Sequence, residues 1–243
     1  MKIENTEVFG FRSALRGMTN PKNSWGKIDS IKIDNFNPTR EMVDHKFKKE
    51  GYNKYNCEGF LIGDNDLQLA QTLIKAGNEH MKFMRQIQVW ADITMPRYWW
   101  SEYDTYKVGT SANSTSTMHK LFNKQSEITL DLFEYCDYNK HIIMNIIDEL
   151  NLLRDKYFET STQSEKDEIL KIAKQILPEG YLNMRTVNVN YAVLRNIIQQ
   201  RKYHRLKKEW QKTFCKWVTT LPYAKELIFC GLEDDYERLR FKL

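Results

Sequence analysis

Hydrophobic residues recur every three to four positions in several long stretches of the chain, a spacing typical of amphipathic helices. It predicts helices over residues 67–84, 142–157, 165–176 and 189–218. Asp66 supplies a start signal for the first helix, and the run Leu177-Pro178-Glu179-Gly180 ends the third. The fourth helix has its apolar positions at Leu194, Ile197, Ile198, Leu206, Trp210, Phe214 and Trp217.

A period of two replaces the helical spacing after residue 86. Ile87, Val89, Ala91 and Ile93 alternate with other side chains, which predicts a strand that Pro96 ends. The first 60 residues are polar and contain the turn formers Asn20-Pro21 and Asn37-Pro38. We expect strands and loops in that stretch.

Two unusual segments follow the predicted strand. Residues 97–103 are rich in aromatic side chains, and Trp99, Trp100 and Tyr103 are interpreted either as a surface that stacks on a base or as buried core. Residues 109–117 consist mainly of Ser, Thr and Asn, which favour loops. Beside Lys107, such a loop is either a phosphate-binding loop or a solvated connection.

Composition narrows the classes of function. The chain has 243 residues, 41% of them hydrophobic, which suffices for a sizeable core. Its net charge of +5 favours an anionic ligand, but no zinc-finger or helix-turn-helix spacing accompanies it, so we do not expect nucleic acid as a partner.

Metal, membrane and secretion signals are missing from the sequence pattern. The four cysteines are too far apart for a zinc knuckle and the five histidines are scattered, so no metal site is predicted. The apolar runs are short, and the N-terminal residues lack a basic-then-apolar pattern. The expectation is a cytoplasmic protein without a membrane partner.

The fourth predicted helix combines apolar and polar positions in an unusual way. Asn190 and Arg201 lie eleven residues apart, which is about three helical turns, so both fall on one face. An amide and a guanidinium on one face suit a ligand with both phosphate and planar amide groups. A solvated basic helix with pairs such as Arg205 and Glu209 is the alternative.

The spacing in this region resembles that of the flavin-dependent thymidylate synthases. The segment from Ala173 to Pro178 resembles their Ala-Arg-x-x-Leu-Pro segment, with Lys174 in place of the Arg. Three spacings between further positions also match the family: Pro178 to Asn190 is twelve residues, Asn190 to Arg201 is eleven and Arg201 to Glu209 is eight. Asn196 matches a second Asn that the family has six residues after the first. Thr186-Val187-Asn188 offers an alternative register for the start of this helix.

A second block resembles the family more loosely. Glu79-His80 is similar to the Glu-His that precedes the family's central strand. The family signature of Arg-His-Arg, followed seven residues later by Ser, falls on Ser101-Glu102-Tyr103 and Ser111. The serine is kept, whereas the three cationic or imidazole side chains are replaced.

The resemblance implies roles for individual residues. Arg201 would bind and activate the uracil ring of dUMP as the catalytic residue, and Lys174, Ser101 and Ser111 would help to bind this nucleotide. The implied contacts to the flavin, FAD, are Asn190, Asn196, His80 and Ser111. NADPH and methylenetetrahydrofolate would supply the hydride and the one-carbon unit, and the family assembles as a homotetramer.

The predicted fold class is α+β: a central antiparallel or mixed sheet with long packed helices, like that of the flavin-dependent thymidylate synthases. One domain is expected over residues 1–243, with a helical insertion around residues 125–170.

Two functional hypotheses remain open from the sequence. In the first, the chain is an enzyme that performs the reductive C5 methylation of dUMP to dTMP. In the second, the loss of Arg-His-Arg leaves an inactive protein that binds or sequesters a nucleotide, such as a viral accessory protein from a phage.

Overall fold

The computed structural model describes residues 1–32, 56–57 and 60–243, without the side chains of residues 32, 56, 57 and 119. The predicted turn at Asn37-Pro38 therefore lies outside the described residues. The strands are β1 Lys2–Phe9, β2 Ile31–Lys32, β3 Asn56–Cys57, β4 Phe60–Leu61, β5 Gln88–Pro96, β6 Thr110–Ser114 and β7 Leu182–Asn190. The α-helices are α1 Phe11–Thr19, α2 Asp64–Lys75, α3 Arg97–Tyr103, α4 Thr117–Lys120, α5 Lys140–Glu159, α6 Gln163–Ile176, α7 Tyr191–Arg201, α8 Lys216–Val218 and α9 Glu233–Phe241.

A mixed sheet has the strand order β3-β1-β5-β7-β6, in which four strands are antiparallel and β3 runs parallel to β1. A second, two-stranded sheet pairs β2 with β4. This combination of sheet and helices confirms the predicted α+β class.

The described chain divides into two compact units. The small unit contains Met1, Ile93–Thr105 and Asn113–Arg185; the large unit contains Lys2–Asp92, Tyr106–Ala112 and Thr186–Leu243. The unit boundaries fall after Met1, within β5, after Thr105, within β6 and within β7.

The core of the small unit is built around the antiparallel helices α5 and α6. Ile143, Ile147 and Leu150 are buried on α5 at spacings of four and three residues, as the periodicity predicts. Thr162 caps α6 by accepting a hydrogen bond from the backbone N–H of Glu165 and by donating its hydroxyl to the Glu165 carboxylate. Both predicted helices are confirmed; α5 is longer than predicted at both ends, and α6 begins before the predicted residue 165 but ends at Ile176 as predicted.

The core of the large unit lies on one face of its sheet strands. Val89 and Ala91 on β5 are buried together with Val187 and Val189 on β7. The predicted strand after residue 86 is therefore confirmed, and it ends at Pro96. Within the described residues, no helix is long and apolar enough to cross a membrane.

Three sequence predictions are wrong in the extent or the type of an element. The helix predicted over 67–84 ends at Lys75, because Gly77 adopts a left-handed backbone with φ of 104°. The hydroxyl-rich segment predicted as a loop contains β6. Helix α1 lies in a stretch for which only strands and loops were predicted.

The long helix predicted over 189–218 is also wrong. Its first two residues belong to β7, α7 ends at Arg201, and a π-helical segment, Lys207–Cys215, follows after a turn. Apolar periodicity continues through the break because both segments pack on the same core, with Ile198 and Trp210 fully buried.

Candidate functional site

The predicted site residues of the large unit gather around helix α7. Asn190 is the last residue of β7 and the N-cap of α7: its side-chain oxygen accepts a hydrogen bond from the Val193 N–H at 3.0 Å. Its side-chain nitrogen donates to the Gly109 carbonyl at 3.3 Å. Asn190 is only 6% exposed, so its amide fixes the start of the helix and holds the backbone of Gly109 against it.

Gly109 is required at this contact. Its backbone has φ of 79°, and a Cβ placed on it would lie 2.6 Å from the Asn190 amide nitrogen. The hydroxyl-rich segment of residues 109–117 thus begins in direct contact with the start of α7.

Arg201 ends the same helix and lies between two aromatic rings. Its Nε donates to the Tyr106 hydroxyl at 2.9 Å. The guanidinium carbon lies 4.9 Å from the centre of the Trp210 ring and 5.7 Å from that of Tyr106, which are distances of cation–π contact. Trp210 is fully buried and Tyr106 is buried, so the half-buried guanidinium rests on rigid neighbours.

A chain of hydrogen bonds leads from Arg201 to the exposed face of α7. Tyr106, which accepts from Arg201, donates its hydroxyl to the Gln200 side-chain oxygen at 2.9 Å. The Gln200 side-chain nitrogen donates to the Asn196 side-chain oxygen, also at 2.9 Å and one helical turn earlier. Each of these hydrogen bonds is donated in the direction from Arg201 toward Asn196, so the four side chains form one ordered network.

Cations surround the end of α7. Lys202 is paired with the buried Asp235 carboxylate, which also accepts from the Tyr203 hydroxyl at 2.7 Å. Burial raises the pKa of Asp235, but the hydrogen bonds from Lys202 and Tyr203 outweigh it, so the pKa is lowered overall. Arg238, which is half-buried, donates to the Lys202 carbonyl at 2.6 Å. Four further cations close in sequence to this network are exposed: Lys107, Arg205, Lys207 and Lys208.

The other predicted residues of the large unit lie on its surface. His80 is exposed, and its backbone N–H closes a turn on Gly77. Ser111 is exposed near the start of β6. The network around Arg201 contains neither of them.

Lys174 and Ser101 belong to the small unit. The Lys174 ammonium lies 3.2 Å from the Met118 sulfur, and the two residues line a cavity of about 350 Å³ on the outer side of α6. Ser101 is exposed on α3 and donates its hydroxyl to the Arg97 carbonyl at 3.2 Å.

The aromatic residues of α3 are core rather than a stacking surface. Trp99, Trp100 and Tyr103 are at most 3% exposed, and Trp99 stacks on Tyr103 with ring centres 5.1 Å apart. Burial raises the pKa of Tyr103. Arg185 covers Trp100 at 4.2 Å and donates to the Asp104 carboxylate at 2.7 Å, a pair that the sequence did not reveal.

Sequence reasoning also missed Tyr106, Gln200 and the contact of Trp210 with Arg201. Tyr106 lies in an irregular connection between α3 and β6, where no periodicity marks a residue as buried. Gln200 directly precedes Arg201, and only the position of Tyr106 gives it a role.

Neither a protein-family profile nor a curated protein sequence matches the chain. Solved structures of the same fold do. Flavin-dependent thymidylate synthase ThyX from Helicobacter pylori, complexed with FAD and dUMP, has a TM-score of 0.62 at 16% identity, over 94% of this chain and 98% of that chain. A second structure of ThyX from Helicobacter pylori with FAD and dUMP gives the same TM-score and identity, over 97% and 99% of the two chains. This likeness confirms the predicted fold.

Proposed function

We propose that the chain binds a pyrimidine nucleotide of the dUMP type together with FAD and catalyses the reductive C5 methylation of dUMP to dTMP. The observation that carries this proposal is the ordered network of Arg201, Tyr106, Gln200 and Asn196 on α7. It is present in a chain whose fold is shared with ThyX complexed with FAD and dUMP.

Arg201 is the proposed catalytic residue. A guanidinium held against buried rings by Tyr106 and Trp210 keeps its position and its charge when a ligand arrives. Directed at a carbonyl of the pyrimidine, this charge stabilises the negative charge that develops on the ring during substitution at C5. We assign Lys174, Ser101 and Ser111 to nucleotide binding on the basis of the sequence resemblance.

The donor set of α7 suits a flavin. Asn196 and Gln200 are exposed amides. Beyond the bonds of the network, each oxygen has a second lone pair and each nitrogen at least one further N–H to offer to the edge of an isoalloxazine ring. Asn190 has its amide oxygen and nitrogen engaged by Val193 and Gly109, so its proposed part is to orient the backbone beside the flavin. His80 and Ser111 complete the proposed cofactor contacts.

When bound, FAD supplies the redox chemistry, with NADPH as hydride source and methylenetetrahydrofolate as one-carbon donor. The residues of this chain bind and orient the reactants. On the basis of the sequence resemblance to the flavin-dependent thymidylate synthases, we also propose that the chain forms a cytosolic homotetramer.

An inactive nucleotide-binding protein is the second candidate. It is favoured by Ser101-Glu102-Tyr103, where the family has Arg-His-Arg. Ser101 bonds within its own helix and Tyr103 is buried, so neither supplies the charge of an arginine.

Reconstitution separates the two candidates. The purified chain is mixed with dUMP, FAD, NADPH and methylenetetrahydrofolate; dTMP is measured by chromatography and nucleotide binding by calorimetry. We expect dTMP from the wild type and from Arg205→Ala, which removes an exposed arginine four residues away, but not from Arg201→Ala. Binding of dUMP without dTMP formation would favour the inactive protein, and no binding of either dUMP or FAD would refute the proposed enzyme.

Melting temperature is recorded on the same samples because Arg201 also contributes packing. If Arg201→Ala melts much earlier than Arg205→Ala yet binds dUMP as the wild type does, the assignment of Arg201 to the nucleotide is wrong.

A further inference from the structure

A second cavity lies on the five-stranded sheet, on the face of its strands that the core of the large unit does not cover. Its volume is about 440 Å³, a size typical of small-molecule sites. Neighbouring strands β1, β5 and β7 supply its lining, which consists of Asn5, Glu7, Phe9, Trp90, Ala91, Asp92 and Thr186. None of these residues belongs to the network around Arg201.

The charge of this cavity is negative although the chain as a whole is positive. Glu7 and Asp92 are carboxylates, and no lysine, arginine or histidine is among the lining residues. Asp92 accepts hydrogen bonds from the Asn5 amide at 2.7 Å and from the Thr186 hydroxyl at 2.5 Å. These two bonds lower the pKa of Asp92, so the carboxylate is charged at neutral pH.

Two aromatic rings border the same space. Phe9 and Trp90 meet edge to face, with ring centres 6.2 Å apart. Trp90 is 37% exposed, whereas the preceding residue Val89, on the other face of β5, is buried. The faces of such rings carry negative potential and attract organic cations.

We propose that this cavity binds a small organic cation, an ammonium or guanidinium group on an aliphatic body. The carboxylates of Glu7 and Asp92 neutralise the charge, and the Trp90 ring covers the aliphatic part. A metal ion is a poorer fit to this lining, because two of its seven residues are aromatic and the described residues contain no group of three His, Cys, Asp or Glu side chains that could hold one.

The probe for this site is 1,4-diaminobutane, with 1,4-butanediol as an uncharged control of similar length. Binding to the full chain is measured by calorimetry at pH 7 and low ionic strength. We expect the diamine to bind and the diol not to bind. Glu7→Gln should weaken diamine binding by at least about tenfold, since a charge-assisted contact is lost.

Glu4→Gln is the matched control. It removes the same charge from the same strand, but Glu4 is exposed, pairs with Lys2 at 2.8 Å and does not line the cavity. We expect Glu4→Gln to bind the diamine as the wild type does. Trp90→Leu should weaken binding severalfold and provides a second test if Glu7→Gln does not fold.

Three results would overturn the proposal: equal affinity for the diamine and the diol, equal affinity of Glu7→Gln and Glu4→Gln, or no diamine binding to the wild type.

Discussion

Tyr106 determines the orientation of the Arg201 guanidinium. Its hydroxyl accepts from the Arg201 guanidinium and donates to Gln200, so a single oxygen joins the cation to the amides of α7. A lysine at position 201 could not reproduce this contact, because it lacks the planar guanidinium that both stacks and donates sideways.

We predict that Tyr106→Phe weakens dUMP binding by roughly tenfold to a hundredfold. The substitution keeps the ring but removes the hydroxyl, and a hydrogen bond to a charged group contributes about 1.5–3 kcal/mol. Calorimetric titration with dUMP measures the effect. Tyr138→Phe is the control, because Tyr138 is 93% exposed; equal affinity of the two variants would contradict the role of Tyr106.

At the level of elements, α7 is fixed at both ends. Asn190 and Gly109 hold its start, and α9 holds the turn after its end. Asp235 on α9 binds Lys202 and Tyr203, while Arg238 donates to the Lys202 carbonyl at 2.6 Å and stacks on Tyr203 at 4.4 Å. The two residues that directly follow Arg201 are therefore held against α9.

Gly109→Ala should lower the free energy of unfolding by about 2–4 kcal/mol. The new Cβ meets the Asn190 amide at 2.6 Å and is strained by the positive φ, so the N-cap is displaced. Chemical denaturation measures this loss. Gly77→Ala shares the positive φ but meets nothing within 4 Å, and we expect it to cost only about 1 kcal/mol; similar losses for both variants would show that the Asn190 contact is unimportant.

Asp235→Asn should lower stability at pH 7 by about 2–4 kcal/mol, because a buried, paired charge is removed from its partner Lys202. Asp234→Asn, the exposed neighbour on the same helix, is the control, with an expected change within about 0.5 kcal/mol. Urea denaturation of the two variants compares them directly. A loss no larger than that of the control would refute the anchoring of α9.

For the whole molecule, the free energy of unfolding depends on pH in the acid range because folding lowers the pKa of some carboxylates. Asp92 is held by Asn5 and Thr186, and Asp235 by Lys202 and Tyr203 against the effect of burial. A lowered pKa contributes stability that is present above the unfolded value of about 3.9 and is lost as pH falls through the folded value.

We therefore predict that wild-type stability is constant above about pH 5 and falls below about pH 4. The stability difference between the wild type and Asp235→Asn should shrink over the same range, since protonation removes the charge that the variant already lacks. Urea denaturation between pH 7 and pH 2 measures both curves; a difference that stays constant in acid would contradict the assignment to Asp235.

The homotetramer is a further prediction for the whole molecule, based on the sequence resemblance. Light scattering at micromolar concentration should give about four times the chain mass of 29.1 kDa. A monomer mass would exclude it.

Local patterns by themselves determined much of this protein. The periodicities gave α5, α6 and β5, because each of these elements buries one face and leaves another exposed. Matched spacings singled out Asn190, Asn196 and Arg201, and these residues do lie on or at the ends of one helix.

Only the tertiary structure decided the rest. A break after Arg201 leaves the apolar spacing unchanged, since α7 and the following π-helical segment face the same core, so the sequence pattern could not reveal it. Arg201 donates a hydrogen bond to Tyr106, which lies 95 residues away in an irregular connection. Likewise, the cavity on the sheet unites residues of three strands, and contacts between distant segments leave no periodic signal in the sequence.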